Sequence, residues 1–174
     1  MTIEPDTKDW TWVLDRRCEE CGLAADEVPV GELAGHIVAN AGAWVEVLDS
    51  SGDAAQRPDD QTWSPLEYAC HVRDVHRLMT ARLGRMIAED DPVFDDWDQD
   101  ATAVEDRYSS QDPARVSEAL VEAARAGAAR LAGVHPHAWG RPGRRSNGSV
   151  FSVESLGRYW LHDVEHHLHD VRPA

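Results

Sequence analysis

The residues of this chain best suited to chemistry gather near its end, in the run His162-Asp163-Val164-Glu165-His166-His167-Leu168-His169. Side chains four apart share one face of a helix, so His162 and His166 project to the same side. Two imidazoles so arranged can reach one divalent metal ion at about 2.0–2.1 Å. His169 continues that stripe one turn on. Asp163 and His167 have the same spacing and stand as the alternative register, with an aspartate in place of the first histidine. A third ligand must come from another element, and His71 is the candidate. It lies among Cys70, Val75, Leu78 and Met79, which read as buried, and a buried imidazole needs a partner because unpaired polar burial is costly. His71, His162 and His166 together would leave a coordination position open, as catalytic zinc-type sites do.

The string His162-x-x-Glu165-His166 also fits the pattern of inverted zinc peptidases. Only eight residues follow His166, too few to supply that pattern's downstream glutamate. Glu165 is therefore read as a solvated carboxylate or as one that supports a ligand. Cys18-Glu19-Glu20-Cys21-Gly22 is half of a zinc-knuckle pattern. A closed structural site needs four ligands, and the chain has no second cysteine pair, since Cys70 stands alone inside a helical segment. The expectation is an N-terminal turn with two reduced thiols, dispensable for the main site. A redox pair, or a site shared across a dimer, is the functional alternative. Arg141, Arg144 and Arg145 sit in a Gly-rich stretch just before the histidine run. Arg144 and Arg145 are the candidate substrate-binding residues, because guanidinium groups hold carboxylates in bidentate fashion. Pairing with surface carboxylates is the competing account. Trp97-Asp98-Gln99-Asp100 offers either carboxylates that orient a ligand histidine or solvated charge with Trp97 packed inward.

Four segments with helical periodicity must position these groups. Residues 27 to 49 place Leu33, Ile37, Ala41, Trp44 and Leu48 on one face. Ser64-Pro65-Leu66-Glu67 is a capping box with proline at the first helical position, opening a helix that runs to about Glu89. A third helix follows Asp112-Pro113, carries Val116, Leu120, Ala123, Gly127 and Leu131, and closes at Gly133 and Pro136. A fourth starts at Ser152, its N-cap, and runs to about Asp170. No segment alternates with period two for long enough to predict a sheet. The fold expected is all-α, a four-helix bundle in a single domain over residues 1–174, with residues 1–26 as an N-terminal extension. The long connections, 91–112 and 135–149, are of the length that often carries function.

The segments Trp63-Ser64-Pro65-Leu66-Glu67-Tyr68-Ala69-Cys70-His71-Val72-Arg73-Asp74-Val75 and Leu161-His162-Asp163-Val164-Glu165-His166-His167-Leu168 resemble the DinB-like superfamily. That resemblance covers residues 27 to 171. It implies a four-helix bundle with one histidine on the second helix and an H-x-x-x-H pair on the last. The family's three metal ligands then fall on His71, His162 and His166, and the bound ion is expected to be zinc or nickel. Several members are similar to transferases or isomerases that use a low-molecular-weight thiol such as mycothiol, while others have no known activity.

The formal net charge is −15, from 32 acidic and 17 basic residues. Such a field repels phosphate backbones and anionic lipid heads, so the expected partner is a small molecule, not nucleic acid or membrane. A homodimer is an open alternative for the assembly. No apolar run approaches the ~20 residues that span a bilayer, and the polar start is unlike a signal peptide, so the protein is expected to be cytoplasmic. Three functions follow from these residues. The leading one is a metal-dependent enzyme that brings a low-molecular-weight thiol to a small electrophile. The second is a metal-dependent hydrolase, and the third a non-catalytic bundle that binds metal or a small ligand.

Overall fold

The computed structural model describes residues 9–172. Its helices are α1 (Leu33–Ser50), α2 (Pro65–Ala88), α3 (Gln99–Glu105), α4 (Pro113–Ala132) and α5 (Val153–Val171), with three short strands, β1 (Val93–Phe94), β2 (Pro142–Arg145) and β3 (Val150–Ser152). Four of the helices are those expected, so the fold is an all-α four-helix bundle with a small sheet added. Capping chemistry sets their starts. The Ser64 hydroxyl accepts from the Glu67 amide at 3.2 Å, and the Ser64 amide donates to the Glu67 carboxylate at 2.9 Å. Ser152 and Ser155 form the same reciprocal pair at the head of α5, at 3.0 and 2.9 Å. The Asp112 carboxylate accepts from the Arg115 amide at 2.9 Å and opens α4.

Two expectations need correction. Helix α1 begins at Leu33, later than expected, because Val28 precedes Pro29 and is held extended, as residues before proline are. The long connections also contain regular structure. The acidic stretch 91–112 holds β1 and α3, the latter capped by Asp98, whose carboxylate accepts from the Ala101 amide at 2.8 Å. Strand order is β1-β2-β3, with β1 parallel to β2 and β2 antiparallel to β3. Strands of two to four residues are too short for an alternation pattern to be read from sequence.

The helices close in the order α1-α4-α2-α5. Helices α1 and α2, although consecutive, each pack chiefly on α4 and α5 and touch each other little. The N-terminal 3-10 turns Thr11–Leu14 and Ala25–Glu27 lie against α5, burying Val13, Cys18, Ala24 and Ala25. The sheet covers the end of α2. A Cβ added at Gly143 would lie 2.7 Å from Met86 and 2.9 Å from Phe94, so only glycine lets β2 approach so closely.

Trp160 fills the centre of the bundle. Its ring is fully buried and its Nε1–H donates to His76 Nδ1 on α2 at 3.0 Å. Burial pushes the His76 imidazole down to about 4, so it stays neutral and accepts this bond. The indole reaches across to α4, where Gly127 has no side chain to oppose it. A Cβ at Gly127 would meet the Trp160 ring, and would come within 2.6 Å of the Thr80 hydroxyl. Alanine gains about 1 kcal/mol of helix propensity over glycine, but overpacking a well-filled core costs about 1–3 kcal/mol. Trp160 cannot retreat without stretching its bond to His76. Gly127→Ala is therefore expected to lower the melting temperature by a few degrees. A thermal scan in which the variant melts at or above the parent would show that the contact relaxes at no cost.

Candidate metal centre

Helix α5 carries the ligand-type residues as two stripes offset by one position, and each stripe faces a different neighbour. Asp163 and His167 face α2, where they meet His71. The Asp163 Oδ1 atom lies 3.8 Å from His71 Nε2 and 3.4 Å from His167 Nε2. The His71 and His167 rings sit edge to face with centroids 4.6 Å apart. His162 and His166 face the N-terminal segment and meet Cys18 and Cys21. In each group one donor atom per residue lies within 4.8 Å of all the others.

The expected trio is thus not gathered at one point. His71 stands with Asp163 and His167, the alternative register, while His162 and His166 stand with the cysteine pair. The expectation that nothing completes a set around Cys18 and Cys21 also needs correction, because the two histidines of the expected trio supply the missing donors. What separates the two stripes is the 100° turn per residue of the helix, which carries adjacent pairs to different neighbours. The doubled pattern was visible in the sequence as His162-Asp163 followed four residues later by His166-His167. Which pair faces α2 depends on the rotation of α5 in the bundle, and that is a tertiary property.

The group on α2 fits a divalent cation. His71 is fully buried, yet neither ring nitrogen has a hydrogen-bond partner, and Asp163 Oδ1 is likewise buried without one. Buried polar atoms left unpaired are costly, and these converge on one point with donor types suited to zinc-like ions. His167 Nδ1 lies 3.2 Å from the Asp170 carboxylate, which fixes the ring so that Nε2 faces the site, a common arrangement for histidine ligands. Burial pushes the His71 imidazole down, so it is neutral. Burial also opposes charge on His167, but its pairs with Asp163 and Asp170 prevail and push it up to about 9. Burial works against ionisation of Asp163 too, and the nearby His167 and His71 rings overcome it, holding the carboxyl far below the usual range.

Aromatic rings wall this group. Trp97 stacks on His71 with centroids 5.2 Å apart and planes within 6°, and Trp63 and Tyr68 flank His71 and His167. The group opens onto a cleft of about 1600 Å³, lined among others by Arg57, Tyr68, Trp97, Arg145 and Tyr159. Of the two candidate arginines only Arg145 lines the cleft, its guanidinium 4.8 Å above the Tyr159 ring and 5.1 Å above that of Phe151. Strand alternation turns Arg144 outward, where it pairs with Asp91 at 2.8 Å. Arg141 donates to the Met86 carbonyl at 2.6 Å, at the end of α2. Asp74 is engaged by Arg73 and the Tyr108 hydroxyl, and Asp98 by its capping role. Asp170, which sequence reasoning passed over, provides the orienting carboxylate instead.

The fold and these groups define a four-helix bundle that gathers ligand-type residues on its last helix. A family model described as the DinB superfamily matches residues 43–171, and the chain belongs to that superfamily. Among solved structures it is similar to YfiT from Bacillus subtilis, described as a probable metal-dependent hydrolase with an unusual four-helix bundle topology. That likeness has a TM-score of 0.72 at 16% identity, over 97% of this chain and 89% of the other. No curated protein matches the chain. Among the described residues no helix is long and apolar enough to cross a membrane.

The charge on His167 sets the pH dependence of metal uptake. Its proton occupies Nε2 at neutral pH and must leave before that nitrogen can act as a ligand. Affinity should therefore rise with pH, about tenfold per unit, and level off near 9. In a Cys18→Ser, Cys21→Ser background, which removes the other group's thiols, zinc titrated calorimetrically near pH 7 in buffers of different ionisation enthalpy should release about one proton per ion. Uptake with no proton release would show that His167 carries no proton that the ion must displace.

Proposed function

We propose that this protein is a metal-dependent hydrolase of a small, carboxylate-bearing substrate, with His71, Asp163 and His167 as its metal ligands. The observation that carries this reading is the convergence of two imidazoles and one carboxylate at a large cleft. Two histidines and a carboxylate with an open position are the donor set of several hydrolytic zinc enzymes. A divalent ion held there would supply Lewis acidity and lower the pKa of a water or thiol entering the open position. The description of YfiT as a probable metal-dependent hydrolase supports the same reaction class. The net charge of −15 supports a small-molecule substrate over nucleic acid or a membrane surface.

The chain's own residues divide the remaining work. Asp170 orients His167, and Trp97, Trp63 and Tyr68 keep bulk water from the ligand rings. Arg145, held over two aromatic rings, presents a fixed positive charge to the cleft and binds the substrate carboxylate. Thiol transfer is the second reading. It is favoured by the size of the cleft, far larger than attack by water requires, and by Arg145, which suits a carboxylated low-molecular-weight thiol equally well. Zinc and nickel both accept this donor set.

The test is turnover of a panel of small amide and ester substrates by the zinc-loaded and nickel-loaded protein, with and without added thiol. Hydrolysis without thiol, lost in His71→Ala and Asp163→Asn, is the expected result. Turnover only with thiol, giving the thiol conjugate, would replace it by the second reading. No turnover of either kind by fully loaded protein would overturn both. Arg145→Ala should raise the KM for carboxylated substrates about tenfold or more, the scale of a lost charge-assisted pair, while Arg144→Ala leaves it unchanged. Equal effects of the two substitutions would remove Arg145 from the binding role.

A further inference from the structure

We propose that Cys18, Cys21, His162 and His166 form a second metal site, closed and structural, that holds a zinc-type ion and ties the N-terminal segment to α5. Two thiols and two imidazoles are a complete tetrahedral donor set for zinc, with Zn–S near 2.3 Å and Zn–N near 2.0–2.1 Å. Those lengths place neighbouring sulfur and nitrogen donors about 3.5 Å apart in a tetrahedron. Cys18 Sγ lies 3.7 Å from His166 Nδ1, and all four donors lie within 4.8 Å of one another. Two of the four residues come from α5 and two from a turn far away in sequence, since Cys18 and His166 are 148 residues apart. Such a meeting is not a product of local chain geometry.

The surroundings are those of a built site. Cys18, His162 and His166 are buried, and His162 Nε2 is buried without a hydrogen-bond partner. On the far side of the His166 ring, Nε2 faces the Glu20 carboxylate at 3.4 Å. That contact holds the ring with Nδ1 toward the sulfur, the arrangement in which outer carboxylates fix histidine ligands. The cysteine turn is closed by its own backbone, with the Gly22 amide donating to Cys18 oxygen at 2.9 Å and the Cys18 amide to Leu23 oxygen at 2.9 Å. Gly22 adopts φ +77°, a conformation open to glycine at little cost. Trp10 covers both histidine rings, with centroids 5.8 Å from His162 and 4.9 Å from His166. Four protein ligands leave no open position, so the role is structural, distinct from that of the group around His71.

The test uses the full chain, purified under reducing conditions and loaded with zinc or cobalt. Elemental analysis should find two ions per chain, falling to one in Cys18→Ser, Cys21→Ser and to one in His71→Ala. Cobalt-loaded parent should show a sulfur-to-cobalt charge-transfer band in the near ultraviolet. That band should persist in His71→Ala, be lost in the double Ser variant and weaken in His162→Ala. Limited proteolysis should cut the N-terminal segment more than tenfold faster in the double Ser variant. One ion per chain in parent and double Ser variant alike, or cobalt spectra without a thiolate band, would overturn the proposal. So would a parent mass two hydrogens low, the mark of a Cys18–Cys21 disulfide. Because the band and the His71 stoichiometry are read separately, failure of this site and failure of the catalytic assignment are distinguishable.

Discussion

The arrangement of this molecule depends on the 100° turn per residue of α5. A pair of residues four apart makes a stripe, and the pair one residue later makes a second stripe rotated by that angle. His162-Asp163 and His166-His167 therefore project toward two different neighbours, the N-terminal segment and α2. Contacts along α5 hold that rotation. Trp160, on the same helix, is pinned to α2 by its bond to His76 and to α4 by the space at Gly127. The reciprocal serine cap fixes where α5 begins, directly after β3. If α5 rotated by a single residue position, both donor groups would come apart.

This explains which parts of the molecule could be read from its residues. Helix starts were legible because they rest on local chemistry: Ser64 with Glu67, Asp112 with Pro113, and Ser152 with its own first turn. The bundle was legible from apolar spacing alone. The helix with the ligand-type residues was also legible, since histidines at this density on one helix are conspicuous. The partner of each stripe was not, because adjacent pairs on a helix look equivalent until the helix is docked. The expectation chose the all-histidine pair for His71, a reasonable preference by donor type, whereas packing presents the pair with aspartate. The cysteines misled for a related reason. Their possible partners, His162 and His166, lie at the far end of the chain, and only the docked rotation of α5 brings the four together.

The same argument covers the arginines and the aromatic loop. Arg144 and Arg145 are neighbours of one type, and nothing in their order distinguishes them until β2 is recognised as a strand. Alternation then sends one outward to Asp91 and the other into the cleft. Trp97 packs inward as expected, but that its indole lies flat on His71 depends on the docked helices and could not be read from its stretch. The indole is tied to α3 by its Nε1–H, which donates to the Thr102 hydroxyl at 2.8 Å.

The two donor groups are chemically unlike, and the difference has a consequence. Thiolates with imidazoles favour zinc and other soft, thiophilic ions, whereas two imidazoles with a carboxylate accept a wider range of divalent metals. Were both occupied, the cysteine-containing group would hold its ion the more tightly, and the group in the cleft would accept a wider range of metals. Asp170 lies between them, 3.2 Å from His167 Nδ1 and 3.8 Å from His166 Nε2. One carboxylate therefore faces the outer nitrogen of a histidine in each group, offering both rings negative charge on the side away from their donor atoms. Helix α5 is thus the shared wall of the two groups, and Asp170 is where their electrostatics meet.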